Sequence, residues 1–290
     1  MTAHATLGTI KAGHVACGLA GLLATLPMFA LAKAAPLPCS QRLTPVTAAA
    51  PGGGGSLGQV LENDLGATRL WGENNLSVLD HAAPDGKPAL RATYPADSSS
   101  PSDAPSAEQR GGAGFYTAPE RLAGSDHACL AYRVRFPAGF DFVKGGKLPG
   151  LYGGQAPSGG RQADGYNGFS LRLMWRKEGQ GELYTYVLKP QQRYGVSMGR
   201  GNWHFPREEW VDIELEARLN TPGEADGVTR VWVDGELVLE RRDIIYRSTP
   251  ALHVDGLMFS TFFGGTGDGW RTPRRQHVDF ASLRFYRPAL

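Results

Sequence analysis

Beyond residue 60 the hydrophobic pattern consists of short alternations. In residues 169–175, Phe169, Leu171, Leu173 and Trp175 alternate with Ser170, Arg172 and Met174. That period of two sends successive side chains to opposite faces of a strand. The same signal marks 131–136, 182–188, 210–219, 229–233, 236–240, 257–263 and 278–286, with Gly, Pro or Asp-Gly between the runs. Asp234-Gly235 separates two of them and predicts a two-residue hairpin. No long stretch carries a helical period. Many short strands with turn residues between them predict an all-β protein, an antiparallel β-sandwich of jelly-roll type in one domain.

One hairpin can be set in register from sequence alone. Lys177-Glu178-Gly179 reads as a three-residue turn in which Gly179 supplies the left-handed residue. Arg176 then faces Gln180, Arg172 faces Tyr184 and Ser170 faces Tyr186. Leu173 meets Leu183 and Phe169 meets Val187 on the opposite face. A slip of one residue would carry Arg172 into the core, so the pattern excludes it. The expectation is an exposed patch holding a serine, an arginine and two tyrosines. Just upstream, residues 144–154 (Lys-Gly-Gly-Lys-Leu-Pro-Gly-Leu-Tyr-Gly-Gly) read as a glycine-rich loop carrying Lys147 and Tyr152.

The first 32 residues stand apart. A mostly apolar run over 15–31 with one proline, followed by Ala30-Leu31-Ala32, reads as a signal peptide cleaved near Ala32. Secretion, to the exterior or a periplasm, is expected, with no membrane association after cleavage. Residues 33–58 read as a Pro/Ala/Gly-rich linker and 59–290 as the folded domain. The Ser/Pro-rich segment 95–113 reads as a long polar loop. Cys39 and Cys129 are free to pair in an oxidising compartment.

The net charge of +2 hides a segregation. Residues 133–207 hold twelve Lys/Arg against four Asp/Glu, while 208–246 hold eleven Asp/Glu against four Arg. An electropositive surface suits a polyanion, and for a secreted protein an acidic polysaccharide rather than a nucleic acid. No cofactor motif or metal-ligand spacing is present among His81, His127, His204, His253 and His277. A monomer without cofactor or metal is expected.

Taken together, 144–154, 168–176 (Gly-Phe-Ser-Leu-Arg-Leu-Met-Trp-Arg) and 183–186 (Leu-Tyr-Thr-Tyr) resemble polysaccharide lyase family 14. That family is a β-jelly roll with alginate lyases and glucuronate-specific lyases among its members. The resemblance runs from about residue 111 to the C-terminus. It implies a catalytic set of a lysine, a Ser-x-Arg pair and a Tyr-x-Tyr pair, which falls here on Lys147, Ser170, Arg172, Tyr184 and Tyr186. Tyr152, Asn167, Arg176, Trp203 and His204 are the candidate substrate-binding residues.

β-Elimination at a uronate needs the carboxylate neutralised, the C5 proton removed and the departing O4 protonated. Arg172 suits the first task, since a guanidinium binds carboxylate through two parallel bonds. Lys147 and a tyrosine suit the other two if clustered positive charge depresses their pKa values. Two alternatives stay open. Asp212, Glu214 and Glu216 alternate on one strand, as the carboxylates of a glycoside hydrolase do, although the alternation assigns them to a solvated face. A lectin-like module would use Trp203, Trp270 and Tyr152 for sugar stacking.

Overall fold

The computed structural model describes residues 1–4, 8–9, 34–49, 56–104, 106, 110–188 and 194–289. Met1–Ala34 is a unit separate from Ala35–Leu290. The expected signal peptide, residues 1–32, and its expected cleavage position lie almost wholly outside the described residues.

Among the described residues, fifteen strands follow one another along Ala35–Leu290. The first six are β1 (Thr44–Ala49), β2 (Thr68–Trp71), β3 (Leu76–Leu79), β4 (Ala89–Tyr94), β5 (Ala113–Thr117) and β6 (His127–Arg135). Four more lead through the middle of the chain: β7 (Gly145–Gly154), β8 (Gly168–Arg176), β9 (Gly181–Tyr186) and β10 (Val196–Met198). The last five are β11 (Trp210–Arg218), β12 (Gly227–Val233), β13 (Glu236–Ile244), β14 (Gly256–Phe263) and β15 (Gln276–Arg287). They form two antiparallel sheets. One is ordered β13-β12-β11-β6-β15-β4-β3 with β1 also on β15, and the other β10-β9-β8-β7-β14-β5-β2. The expected all-β sandwich is what the chain forms. All eight runs read from alternation are strands, and Asp234-Gly235 joins β12 to β13.

The two sheets bury their inner faces against each other. Phe169, Leu171, Leu173 and Trp175 of β8 meet Leu130, Tyr132 and Val134 of β6 and Val211, Ile213 and Leu215 of β11 in one apolar cluster. Trp175 anchors one end, with Phe136, Phe140 and Phe263 edge-on around it at 5.7, 5.8 and 5.3 Å between ring centroids. With the inner side of β8 fixed this way, Ser170, Arg172, Met174 and Arg176 must face outward.

The charge segregation follows the two sheets. The basic segment supplies β7 to β10 of one sheet, and the acidic segment supplies β11 to β13 of the other.

Three expectations need correction. The glycine-rich stretch is the central strand β7 rather than a loop. Its glycines permit strand packing: a methyl group on Gly150 would lie 1.8 Å from the Leu171 carbonyl oxygen. The segment 33–58 does not run free along its length. Cys39–Gln41 forms a 3-10 turn, Thr44–Ala49 pairs with β15, and Cys39 is disulfide-bonded to Cys129. The third correction follows from that clamp. Glu216 is fully buried, not solvated, because the N-terminal segment crosses the outer face of β11. It accepts from Arg42 Nη2 at 2.9 Å, Arg230 Nη1 at 2.8 Å and His127 Nε2 at 2.7 Å. Glu214 accepts from Ser40, and Asp212 alone of the three stays open, paired with Arg133.

Candidate active site

The site lies on the outer face of the seven-stranded sheet, where β9, β8, β7 and β14 run side by side. Around the turn the register is as read from sequence. Arg172 pairs with Tyr184, Ser170 with Tyr186 and Leu173 with Leu183, and Arg176 N donates to Gln180 O at 2.7 Å. Gly179 is left-handed at φ 79°, and Glu178 joins it at φ 60°.

A bulge in β7 places the lysine. Lys147 pairs with Met174 and Gly150 with Arg172, so three steps along β7 match two along β8. The extra residue changes the parity of the strand. Leu148 and Leu151, three apart, both enter the core, while Lys147, Gly150 and Tyr152 all face outward with Arg172. Pro149 occupies the bulge, where a missing N–H is tolerated, and its carbonyl accepts from the buried Tyr132 Oη at 3.2 Å. Without the bulge, Lys147 would point into the apolar core.

These groups are more enclosed than the expected exposed patch. Ser170, Arg172, Tyr186 and Lys147 are all buried, and only Tyr184 is half-open. Part of the cover is the segment between β7 and β8: Ser170 Oγ donates to Pro157 O at 2.7 Å, and Gly160 N donates to Tyr186 Oη at 3.3 Å.

The Lys147 amine donates to Met174 Sδ at 2.8 Å and sits 4.1 Å from the centre of the Tyr184 ring. Burial, then the Arg172 and Arg176 charges, hold it well below the usual lysine range, with Glu182 opposing. Tyr184 departs from expectation. Its own burial, together with Tyr186, pushes it up to about 12 against the pull of Arg172 and Arg176. That direction is opposite to the one expected from clustered positive charge, and it favours the protonated phenol.

Arg172 is the least satisfied group. Its Nη1 donates to Ser260 Oγ at a long 3.4 Å, its Nε has no partner, and no carboxylate pairs with it among the described residues. A buried cation in that condition is costly unless an anion completes it. Arg176 differs in being tied down, its Nη2 donating to Glu182 Oε1 at 2.5 Å. Glu182 is fully buried and also accepts from Arg200 Nε at 2.6 Å and Ser197 Oγ at 3.1 Å. At the other end Tyr152 packs edge-on to Tyr116 at 5.0 Å, and Arg69 lies 5.0 Å over the Tyr116 ring.

The fold thus assembles Lys147, Ser170, Arg172, Tyr184, Tyr186, Tyr152 and Arg176 on one face. It does not bring in three others. Asn167 staples its own loop, its side chain accepting from Asp164 N and donating to Gln162 O. Trp203 is buried in the apolar core beside Phe205, and His204 is exposed at a bridge to Gln180. Met174, Glu182, Arg200 and Ser260 belong to the site although sequence reasoning passed over them. Met174 and Glu182 were recoverable, since they share the outward parity of Arg172 and Tyr184. Arg200, in the turn after β10, and Ser260, on β14, come from segments whose neighbours no local pattern reveals.

The sequence matches the polysaccharide lyase 14 family over residues 82–283. It is similar to the marine PL-14 alginate lyase from Aplysia kurodai, at 31% identity and a TM-score of 0.74, over 84% of this chain and 100% of that one. The alginate lyase vAL-1 from Chlorella virus shares the fold at 22% identity and TM-score 0.68, covering 84% of this chain and 100% of the other. So does a mutant of alginate lyase Aly36B in complex with alginate trisaccharide, at 21% and 0.68, covering 85% and 95%. No curated protein matches the sequence. A family match across more than half the chain, on a sandwich whose outer face gathers a buried lysine, an unpaired arginine and paired tyrosines, places this protein in polysaccharide lyase family 14.

Proposed function

We propose that this lyase cleaves a polyuronate of the alginate class by β-elimination, outside the reducing cytosol. The observation that carries the reading is Arg172, a buried guanidinium without a carboxylate partner among the described residues, beside Lys147 and Tyr184. A uronate carboxylate supplies the missing charge through two parallel bonds and, once neutralised, acidifies the C5 proton. Lys147, its pKa held well below the usual lysine range by burial and then by Arg172 and Arg176, takes that proton. The C5–H electrons form the C4–C5 double bond as the C4–O4 bond breaks. O4 receives its proton from Tyr184, whose phenol remains protonated up to about 12. Ser170 and Tyr186 are positioning residues, bonded to the covering segment at Pro157 and Gly160. The 31% identical relative is named an alginate lyase, which supports the substrate class. The Cys39–Cys129 disulfide supports an oxidising compartment.

The hydrolase reading finds no support, because Glu216, on the sheet away from the site face, is consumed by Arg42, Arg230 and His127. The test is a panel of polymannuronate, polyguluronate and glucuronan, assayed for new ultraviolet absorbance. Absorbance should rise with at least one polymer and vanish with Lys147→Ala. A flat trace on all three refutes the substrate class.

A further inference from the structure

The connection from β14 to β15, residues 264–275, lies at the Lys147 end of the site face. Gly264 N donates to Gly145 O at 2.9 Å, and a methyl placed on Gly264 would lie 3.7 Å from Lys147 Nζ. Trp270 rests against the next residue, so closely that a methyl on Gly265 would come within 2.4 Å of the indole. The ring is half-buried and belongs to none of the buried apolar clusters, so core packing does not account for it. Two cations flank it. Lys144 Nζ is 6.0 Å and the Arg176 guanidinium carbon 5.9 Å from the ring centroid. Lys144 is exposed and has no carboxylate in ion-pairing range among the described residues. Arg176 commits Nη2 to Glu182 and leaves Nε without a partner.

The connection is held in place before any ligand arrives. Arg271 Nη1 donates to Asp97 O at 2.8 Å and its Nη2 to Asp103 at 3.2 Å, while Thr272 N donates to Ser98 O at 3.0 Å. Ser98, Ser99 and Ser100, in the segment expected to be a polar loop, are buried as the buttress of this turn. An aromatic platform fixed in this way loses little freedom on binding a ligand.

We propose that Trp270, Lys144 and Arg176 form a subsite for a second uronate, next to the sugar whose carboxylate Arg172 holds. The apolar face of the sugar ring stacks on the indole, and its carboxylate meets the exposed Lys144 ammonium, with the Arg176 guanidinium adding positive charge on the ring. The proposal rests on the polyuronate reading, and it assigns these residues to gripping the polymer rather than to chemistry.

Steady-state kinetics on oligouronates of increasing length test it, together with equilibrium binding of the same oligomers. Trp270→Ala should raise KM on polymer about tenfold, the value of one lost stacking contact, with kcat at saturation retained. The penalty should shrink as oligomers become too short to reach the indole, and Trp270→Phe should recover part of it. Lys144→Gln should raise KM less and flatten its dependence on salt, since the screened charge is gone. Trp270→Ala with wild-type KM at every length overturns the subsite and leaves the lyase reading intact. A KM penalty independent of length, or a fall in kcat alone, also overturns it. A wild type that forms no unsaturated ends removes the lyase reading instead, and the subsite is then judged on oligouronate binding: about tenfold weaker in Trp270→Ala supports it, and equal binding refutes it.

Discussion

Glu182→Gln separates two roles that meet in one buried carboxylate. Glu182, itself fully buried, takes Arg176 and Arg200 at 2.5 and 2.6 Å and Ser197 at 3.1 Å. Glutamine keeps the shape but offers one oxygen and turns an NH2 toward a guanidinium that also donates. One charge-assisted bond is lost and one donor is left facing another, which costs roughly 2–4 kcal/mol. At about 2–4 °C per kcal/mol for a domain of this size, Tm should fall by roughly 5–15 °C. The second effect concerns Lys147. The Glu182 charge raises the lysine's pKa, opposing burial and the two arginines. Removing it lowers that pKa further, so the neutral amine appears at lower pH. The ascending limb of kcat/KM against pH should therefore move to more acid pH, measured below the variant's melting range and normalised to its own maximum. A destabilised variant whose ascending limb stays in place, or moves to higher pH, would refute Lys147 as the base even though the clamp itself had been confirmed.

Tyr184→Phe removes only a hydroxyl from a half-open ring, so turnover should fall about 10²–10⁴-fold while a polyuronate still binds by calorimetry. Arg172→Lys should weaken substrate as well, because an ammonium cannot make the paired contact to a carboxylate. For Glu216, held down to about 2 by His127, Arg230 and Arg42 against its burial, the native pKa lies below the unfolded one. Its contribution is therefore complete above roughly 4.5 and lost as pH falls toward 2. At about 1.4 kcal/mol per unit that is on the order of 3 kcal/mol, and Glu216→Gln should blunt the acid sensitivity of Tm while lowering Tm at neutral pH. Asp212→Asn, exposed on the same strand, should leave turnover and Tm at wild-type values. Cys39→Ser opens a link between residues 90 apart and should cost about 2–5 kcal/mol, read as a lower urea midpoint that reductant reproduces in the wild type.

The hairpin β8–β9 was legible because its two periods agree with each other and with the turn between them. A strict in/out alternation on both sides leaves one register that buries all the apolar residues. The strand β7 was not legible, because five of its ten residues are glycine and its one bulge breaks the alternation. Leu148 and Leu151 held the clue, since a spacing of three between core residues in a strand requires an inserted residue. The burial of Glu216 was illegible for a different reason. Its strand alternates cleanly, and what covers it is a segment 174 residues away in sequence that composition marks as a linker. Tyr184 shows a limit of counting cations, because burial and Tyr186 together push its pKa up against the pull of Arg172 and Arg176.

The most direct test of elimination is mass conservation on one defined saturated oligouronate. Elimination moves a proton from C5 to O4 without consuming water, so the masses of the two fragments should sum to that of the substrate, with the unsaturated end on one of them. Fragments that sum to the substrate plus one water would contradict the account and leave Arg172, Lys147 and Tyr184 needing another chemistry.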